Sequence, residues 1–170
     1  NFPANTFYDD FNMNFDVANG VLKLHEDIVP AHSAFSIVFE DSISTEKDRE
    51  KMFIANIVGK KTNYCTTKQY KNTFSTYVKT LGTYKVMKDI IAPKVSMSKN
   101  IKDKWISDQK TIQLTISDDL SGIKEFNGYL NGKWILLEYE SKLNRLTHKF
   151  SDGIVAEGKN ELKVVVSDNV

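Results

Sequence analysis

The residue types that most often carry catalysis are few in this chain and widely spaced. The candidates among its 170 residues are three histidines and one cysteine: His25, His32, His148 and Cys65. A catalytic zinc ion takes three protein ligands, usually histidines and carboxylates at close spacing. His25-Glu26 begins a His-Glu-x-x-His motif, but Val29 stands where the second histidine would be, and His-x-His does not occur. The sequence therefore predicts no catalytic metal in this chain.

Motifs for nucleophilic catalysis and phosphate binding are also missing from the sequence. Neither Gly-x-Ser-x-Gly nor Gly-x-Gly occurs, and a catalytic nucleophile needs a base beside it. Cys65 has no activating neighbour and no second cysteine to pair with, so we expect a small, half-buried strand residue rather than a reactive thiol. His148 shares a predicted strand face with Leu146 and Phe150, which favours a structural role.

Carboxylates at turns are the remaining metal-ligand candidates. Asp118, Asp119, Asp152 and Asp168 stand in or beside predicted turns, where their oxygens could converge on a calcium ion. The competing interpretation is that each carboxylate accepts hydrogen bonds from nearby backbone amides in an Asx-type turn. We favour the Asx turns, because no Asp-x-Asp-x-Asp spacing occurs. Asp118, Asp119 and Asp152 stay as candidate calcium ligands, and no cofactor is expected.

Aromatic side chains offer a second kind of site. Trp105 and Tyr129 are candidate ligand-contact residues, since an exposed aromatic ring can serve as a platform for a sugar. Trp134 lies in a run, 133–139, that is largely apolar on both alternating faces. That pattern predicts a central strand with Trp134 in the core.

The elements that must position these residues are predicted to be strands. Seven Tyr, ten Phe and many Val, Ile and Thr favour β-structure over helix. The run 111–117 alternates strictly, and Asn131-Gly132 between two strand-like runs predicts a hairpin. Asn19-Gly20 predicts another hairpin, and Thr45 is expected to cap a single short helical turn. The predicted second core comprises Ile112, Leu114, Ile116, Leu137, Phe150, Leu162, Val164 and Val166.

The fold class that follows is all-β, with two tandem β-sandwich domains. Pro93 opens a new segment after a strand-like run, so the domains are predicted at 1–91 and 92–170. Six or seven short strands, with turns about every ten residues, make the second domain immunoglobulin-like.

Composition excludes several classes of partner. A net charge of +1, with basic residues scattered among acidic ones, gives no concentrated basic face for nucleic acid. No apolar run approaches the roughly 20 residues of a membrane-spanning helix. Both ends of the chain stand against structured elements, so we expect a piece of a longer polypeptide.

Several runs carry a family resemblance that covers nearly the whole chain. They are FPANTFYDD at 2–10, TLGTY at 80–84, DDLSGI at 118–123, YLNGKWILLEY at 129–139 and LTHKFSDG at 146–153. Together they resemble the C-terminal region of exported Bacteroidetes metallopeptidases of the lysostaphin-like, peptidoglycan-directed class. That class carries zinc on paired His-x-x-x-Asp and His-x-His motifs in a separate domain. The pair of motifs does not occur here, so no catalytic residue is transferred.

The resemblance implies a non-catalytic accessory region, exported to the periplasm or cell surface. Its implied partners are an upstream peptidase domain of the same polypeptide and a cell-wall glycan or peptide. The alternative is a structural spacer, or an adhesion or carbohydrate-binding pair of sandwiches with no enzymatic parent. An exposed aromatic or polar groove along one sheet would favour the accessory region. A mixed-charge surface with Trp105 and Trp134 both buried would favour the spacer.

Overall fold

The computed structural model describes residues 1–97, 106 and 108–170. Within these residues the backbone forms fifteen strands, one four-residue α-helix and two short 3-10 helices. The predicted all-β class is confirmed, since about half of the chain is strand. The chain divides into two compact units, unit 1 (Asn1–Ile90, with Val170) and unit 2 (Ile91–Asn169). None of the helices in the described residues is long and apolar enough to cross a membrane.

Unit 1 is a sandwich of a five-stranded and a three-stranded sheet. Its strands are β1 (Phe15–Ala18), β2 (Val21–Leu24), β3 (Phe35–Glu40), β4 (Met52–Val58), β5 (Lys61–Cys65), β6 (Lys68–Tyr70), β7 (Thr73–Val78) and β8 (Gly82–Lys88). The larger sheet has the order β1-β2-β8-β4-β5, and the smaller has the order β3-β7-β6. All of the pairings are antiparallel. Strands β1 and β3 therefore lie at free edges of their sheets.

Local sequence signals account for the turns of unit 1. Asn19 and Gly20 join β1 to β2 with φ angles of 51° and 73°, the positive values that a tight hairpin turn requires. The helix α1 (Glu46–Arg49) begins where predicted, because the Thr45 hydroxyl accepts a hydrogen bond from the Asp48 N–H at 3.2 Å.

The core of unit 1 is rich in aromatic side chains. Phe35 and Phe74 from the smaller sheet meet Tyr84, Leu24 and other buried residues from the larger sheet. Phe35, Phe74 and Tyr84 are fully buried. Because fully burying a large apolar side chain contributes roughly 1.5–3 kcal/mol, this shared layer is what holds the two sheets together.

Unit 2 has the strand arrangement of an immunoglobulin-like sandwich. Its strands are β9 (Lys94–Met97), β10 (Thr111–Ser117), β11 (Ile123–Leu130), β12 (Lys133–Ile135), β13 (Glu138–Glu140), β14 (Arg145–Lys149) and β15 (Leu162–Asp168). One sheet has the order β13-β14-β10-β9, and the other has the order β12-β11-β15. If β9, β10, β14 and β13 are equated with strands A, B, E and D, the first sheet has the immunoglobulin order. The 3-10 helices Ser141–Leu143 and Phe150–Asp152 flank β14.

The core of unit 2 is aliphatic and agrees in part with the predicted list. The predicted residues Ile112, Leu114, Ile116 and Leu137 are buried, as are Leu130, Ile135 and Leu146, which were not predicted. Leu162, Val164 and Val166 pack against this core but are only half-buried. Their strand, β15, is at the edge of its sheet, so one side of each residue stays open. Phe150 is also half-buried, with its ring edge-on to His148 at 5.7 Å.

The prediction that Trp134 lies in the core is wrong, because its side chain is 58% exposed. The run 133–139 is not one central strand. It leaves one sheet after Ile135, the last residue of β12, and joins the other sheet at β13. Ile135 and Leu137 face the core, while Trp134 and Leu136 (61% exposed) face outward. A change of sheet within seven residues leaves the second apolar face uncovered.

Candidate functional site

The candidate site is an exposed aromatic surface on the three-stranded sheet of unit 2. It is built on the hairpin that joins β11 to β12 through Asn131-Gly132, whose φ angles are 52° and 76°. This turn fixes the register, with Tyr129 opposite Trp134 and Gly128 opposite Ile135. The Asn131-Gly132 turn therefore determines that Tyr129 and Trp134 are neighbours on the surface.

Several side chains share the outer face of this sheet, and we call the following four of them the aromatic face: Asn127, Tyr129, Trp134 and Lys163. Tyr129 on the central strand pairs with Trp134 on one side and with Lys163 on the other. Asn127 lies two residues before Tyr129 and so points to the same side. Directly opposed residues of antiparallel strands have Cβ atoms about 5 Å apart. Trp134, Tyr129 and Lys163 therefore form a continuous row across the sheet.

The packing beneath the sheet holds the aromatic face in place. Gly128 and Leu130 alternate with Tyr129 and are buried, together with Ile135 across the hairpin. A Cβ atom at Gly128 would lie 2.7 Å from Leu137 Cδ1 and 3.0 Å from Ile135 Cγ1. Glycine fits here without displacing these buried side chains, whereas a larger residue would push against Leu137 and Ile135.

Polar contacts orient the exposed indole. The Trp134 Nε1–H donates a hydrogen bond to Asn127 Oδ1 at 3.3 Å. The hairpin itself is tied to the segment before β15, since Asn131 N–H donates to Glu161 O and Glu161 N–H donates to Asn131 Oδ1, both at 2.9 Å. Trp134 is thus exposed but held, which reduces the side-chain entropy that a binding partner would have to remove.

A shallow depression of about 240 Å³ lies beside the row, lined by Tyr129, Gly132, Glu161 and Lys163. It offers an aromatic ring, a carboxylate and an ammonium group close together. Aromatic rings present a broad apolar surface, and amide, carboxylate and ammonium groups bond to hydroxyls. This combination suits a carbohydrate, whose rings have apolar C–H faces and a rim of hydroxyl groups.

Of the two aromatic residues predicted to contact a ligand, the structure places Tyr129 on the aromatic face. Trp105 lies outside the described residues. Trp134 was assigned to the core and is the residue that sequence reasoning missed. The Asn131-Gly132 turn could have identified it, because the two-residue hairpin pairs Trp134 directly with Tyr129.

Two of the three candidate calcium ligands accept hydrogen bonds from their own turns. One oxygen of Asp118, Oδ2, accepts hydrogen bonds from Leu120 N–H at 3.0 Å and from Gly122 N–H at 2.7 Å. Asp152 Oδ1 accepts from Ile154 N–H at 3.2 Å, and Asp119 is exposed. These are the contacts of Asx-type turns.

Asp118 also has a carboxylate neighbour within unit 2. Oxygen atoms of Asp118 and Asp168 lie within 4.8 Å of each other.

Half of the peptidase motif pair is nevertheless present, since His148 and Asp152 stand at His-x-x-x-Asp spacing. Their side chains lie together, with His148 Nε2 at 3.4 Å from Asp152 Oδ2. His148 is buried, and its Nδ1 is 3.1 Å from the carbonyl oxygen of Leu136. Among the described residues, no histidine belongs to a group of three or more potential metal ligands. His148 therefore ties β14 to the segment that crosses between the sheets, through its contact with Leu136.

The remaining reactive side chains belong to unit 1. Burial raises the pKa of the Cys65 thiol, which disfavours the thiolate that a nucleophile needs. His32 Nδ1 is 3.3 Å from the Tyr8 hydroxyl, and His25 Nδ1 accepts from Asn14 N–H at 3.3 Å. These three residues are in different local surroundings, and they do not form a catalytic arrangement with one another.

Comparison with known proteins gives one positive result. The family model of the Zu5-like domain matches residues 1–89, which is just over half of the chain and nearly all of unit 1. A search of curated proteins found no match.

Proposed function

The chain belongs to the Zu5-like domain family, and we propose that it is a binding region without catalytic chemistry of its own. In this proposal it is the accessory region of an exported cell-envelope zinc metallopeptidase. It positions the peptidase domain, which lies outside these residues, on its substrate in the periplasm or at the cell surface. The ligand is a cell-wall glycan, and the aromatic face is the contact surface.

The observation that carries the proposal is the exposure of Trp134. Trp134 is 58% exposed, its indole is hydrogen-bonded, and it pairs with Tyr129. Its apolar ring is in contact with water and does not contribute to the core. Tryptophan and tyrosine are enriched among residues that dominate binding energy, because they offer a large rigid area for little loss of entropy. The link to a peptidase rests on the sequence resemblance, and the aromatic face supports the binding role.

Such a region would work through effective concentration. A tethered module that holds its ligand makes the second encounter, that of the catalytic domain with its substrate, intramolecular. Activity on an extended, insoluble substrate then depends on the module, whereas activity on a small soluble peptide does not.

Binding is tested by sedimentation of the chain with purified peptidoglycan sacculi. Trp134→Ala should weaken co-sedimentation about tenfold or more, as expected for loss of a central aromatic contact. Tyr70→Ala, an aromatic side chain in unit 1 that is 73% exposed, is the matched control and should bind like the wild type. Equal binding by both variants would rule out the aromatic face as the contact surface.

The role in a parent enzyme needs a second experiment. Deleting this region should lower peptidase activity on intact sacculi and spare activity on a small soluble peptide. Equal losses on both substrates would indicate that the region supports folding of the catalytic domain instead. If neither activity changes, the structural spacer is the better interpretation.

A further inference from the structure

Two Asn-Gly turns of this chain differ in what holds their asparagine side chains. Asn19-Gly20 joins β1 to β2 in unit 1, and Asn131-Gly132 joins β11 to β12 in unit 2. All four residues have positive φ angles, so both turns are tight hairpin turns of the same kind. The same dipeptide in the same backbone conformation therefore has two different surroundings.

Asparagine is chemically labile in proteins, and a following glycine makes it more so, because no side chain hinders attack by the glycine nitrogen. That backbone nitrogen forms a bond to the asparagine Cγ, the Cγ–Nδ2 bond breaks, and the amide proton leaves with Nδ2 as ammonia. The cyclic succinimide then adds water at either of its carbonyl groups and opens. The product is aspartate or isoaspartate, and water is the only co-reactant.

Hydrogen bonds hold the side chain of Asn131 through both of its polar atoms. Its Nδ2 donates to Asn160 Oδ1 at 2.7 Å and to the Ile154 carbonyl at 3.3 Å, and its Oδ1 accepts from Glu161 N–H at 2.9 Å. The side chain cannot turn toward the Gly132 nitrogen until these bonds break. Each bond that must break lowers the population able to react several-fold.

The side chain of Asn19 has no such restraint. Within the part of the chain that the structure describes, it makes no hydrogen bond, and it is exposed. A Cβ atom built at Gly20 would meet nothing within 4 Å, so the turn stands open to solvent. Water therefore reaches this site freely, and the amide of Asn19 can rotate without breaking a contact.

The two hairpins also differ in how easily they open. Ring closure needs the turn to open, because a turn with positive φ and ψ places the asparagine Cβ and the next nitrogen on opposite sides of the bond between them. All four residues of β1 are exposed, and among the described strands it pairs only with β2. Strand β12 is also at an edge, but its last residue, Ile135, is 2% exposed and packs in the core of unit 2. Elements with little buried surface open most often, so the β1–β2 hairpin opens more readily than the β11–β12 hairpin.

We propose that Asn19 is a modification site of this protein, where deamidation converts the β1–β2 turn to aspartate or isoaspartate while Asn131 stays intact. In isoaspartate the main chain runs through Cγ, which adds a methylene group to the backbone before Gly20. A two-residue hairpin turn cannot take up this extra backbone atom and keep the register of its strands. The pairing of β1 with β2, in which Phe15 lies opposite Leu24, is then lost, and ageing detaches an edge strand from unit 1.

The test incubates the full chain at physiological temperature and mildly alkaline pH and follows both sites by mass spectrometry of its proteolytic peptides. In the folded protein Asn19 should convert faster than Asn131 by about tenfold or more, because three hydrogen bonds hold the Asn131 side chain. In guanidinium chloride, where neither turn is formed, the two sites should convert at similar rates. Asn160→Ala removes one of the acceptors of Asn131 and should speed conversion of Asn131 alone, by several-fold.

Release of β1 is measured by hydrogen exchange of the backbone amides through which β1 bonds to β2. Protein enriched in isoaspartate at position 19 should exchange these amides about tenfold faster or more than fresh protein. Asn19→Asp is the matched control, since it carries the charge of the product on an ordinary main chain, and aspartate tolerates a left-handed turn. This variant should exchange like fresh protein.

Three results would overturn the proposal. The first is equal conversion of the two sites in the folded protein, and the second is faster conversion at Asn131. The third is conversion of Asn19 in guanidinium chloride but not in the folded protein, which would show that the β1–β2 hairpin protects it. Exchange of β1 amides that is equally fast in the isoaspartate form and in Asn19→Asp would contradict the release of the strand.

Discussion

The cores of the two units differ in their aromatic content. Unit 1 buries Phe35, Phe74 and Tyr84 between its sheets, whereas the buried cluster of unit 2 is entirely aliphatic. The rings of Tyr129 and Trp134 in unit 2 lie on the outer face of a sheet instead. Similar strand chemistry therefore gives an aromatic core in one sandwich and an aliphatic core in the other.

The largest expected effect is the loss of an aromatic core residue from unit 1. Phe74→Ala should destabilise unit 1 by about 3–5 kcal/mol, because it removes a fully buried ring and leaves a cavity. Tyr77→Ala on the same strand should change stability by no more than about 0.5 kcal/mol. Urea unfolding followed by far-UV circular dichroism checks both variants, and similar shifts for the two would mean that the aromatic layer is not the main support.

In unit 2 the corresponding change is Leu114→Ala. Leu114 is buried at the centre of β10, and its truncation should cost about 2–5 kcal/mol. Tryptophan fluorescence follows the transition, since both tryptophans of the chain, Trp105 and Trp134, belong to unit 2. An unchanged unfolding midpoint would show that the register of β10 is wrong.

A smaller effect is expected where unit 2 is packed most tightly. Gly128→Ala should destabilise by about 1–3 kcal/mol, since the new methyl group meets Leu137 and Ile135. Combining it with Leu137→Ala should recover part of the loss, because the truncation vacates the space the methyl group needs. A double-mutant cycle measures that coupling, and additive losses would contradict the close approach described here.

The smallest effect concerns acid sensitivity in unit 1. Hydrogen bonds from the Ser44 hydroxyl and from the backbone N–H groups of Ile43 and Ser44 lower the pKa of Asp41. A carboxylate with a lowered folded-state pKa stabilises the fold above its unfolded value, about 3.9, and this contribution is lost as the pH falls through the folded pKa. Asp41→Asn should therefore reduce the difference in stability between pH 7 and pH 3. An unchanged difference would show that this turn does not contribute to acid unfolding.

Alternating sequence patterns predicted the strands of unit 2 well where only one face of the strand is buried in the core. The alternation of Ile112, Leu114 and Ile116 reports directly on burial, and all three are buried. Trp134 and Leu136 could not be predicted in the same way. An apolar residue on each face is typical of a strand that is buried on both sides. Trp134 and Leu136 are exposed because the chain passes here from one sheet to the other.

The candidate site could be predicted only in part, for a related reason. Tyr129 was identified as a possible contact residue, but its neighbours come from three strands. Lys163 reaches it through the pairing of β11 with β15, a contact between distant parts of the chain that no local pattern encodes.

The pairing of β11 with β15 has a consequence for the order in which the chain folds during synthesis. All eight strands of unit 1 are complete once β8 ends at Lys88, whereas the β12-β11-β15 sheet cannot close until β15 has been made, up to Asp168. At ribosomal rates those 80 residues (168 − 88) take roughly 4 to 16 seconds to add. The first sandwich thus has time to fold alone, whereas β11, complete at Leu130, lacks its partner strand β15 until Asp168 has been added. During that wait one edge of β11 has unpaired backbone groups, which are prone to pair with another chain. The Zu5-like domain has by then been synthesised in full.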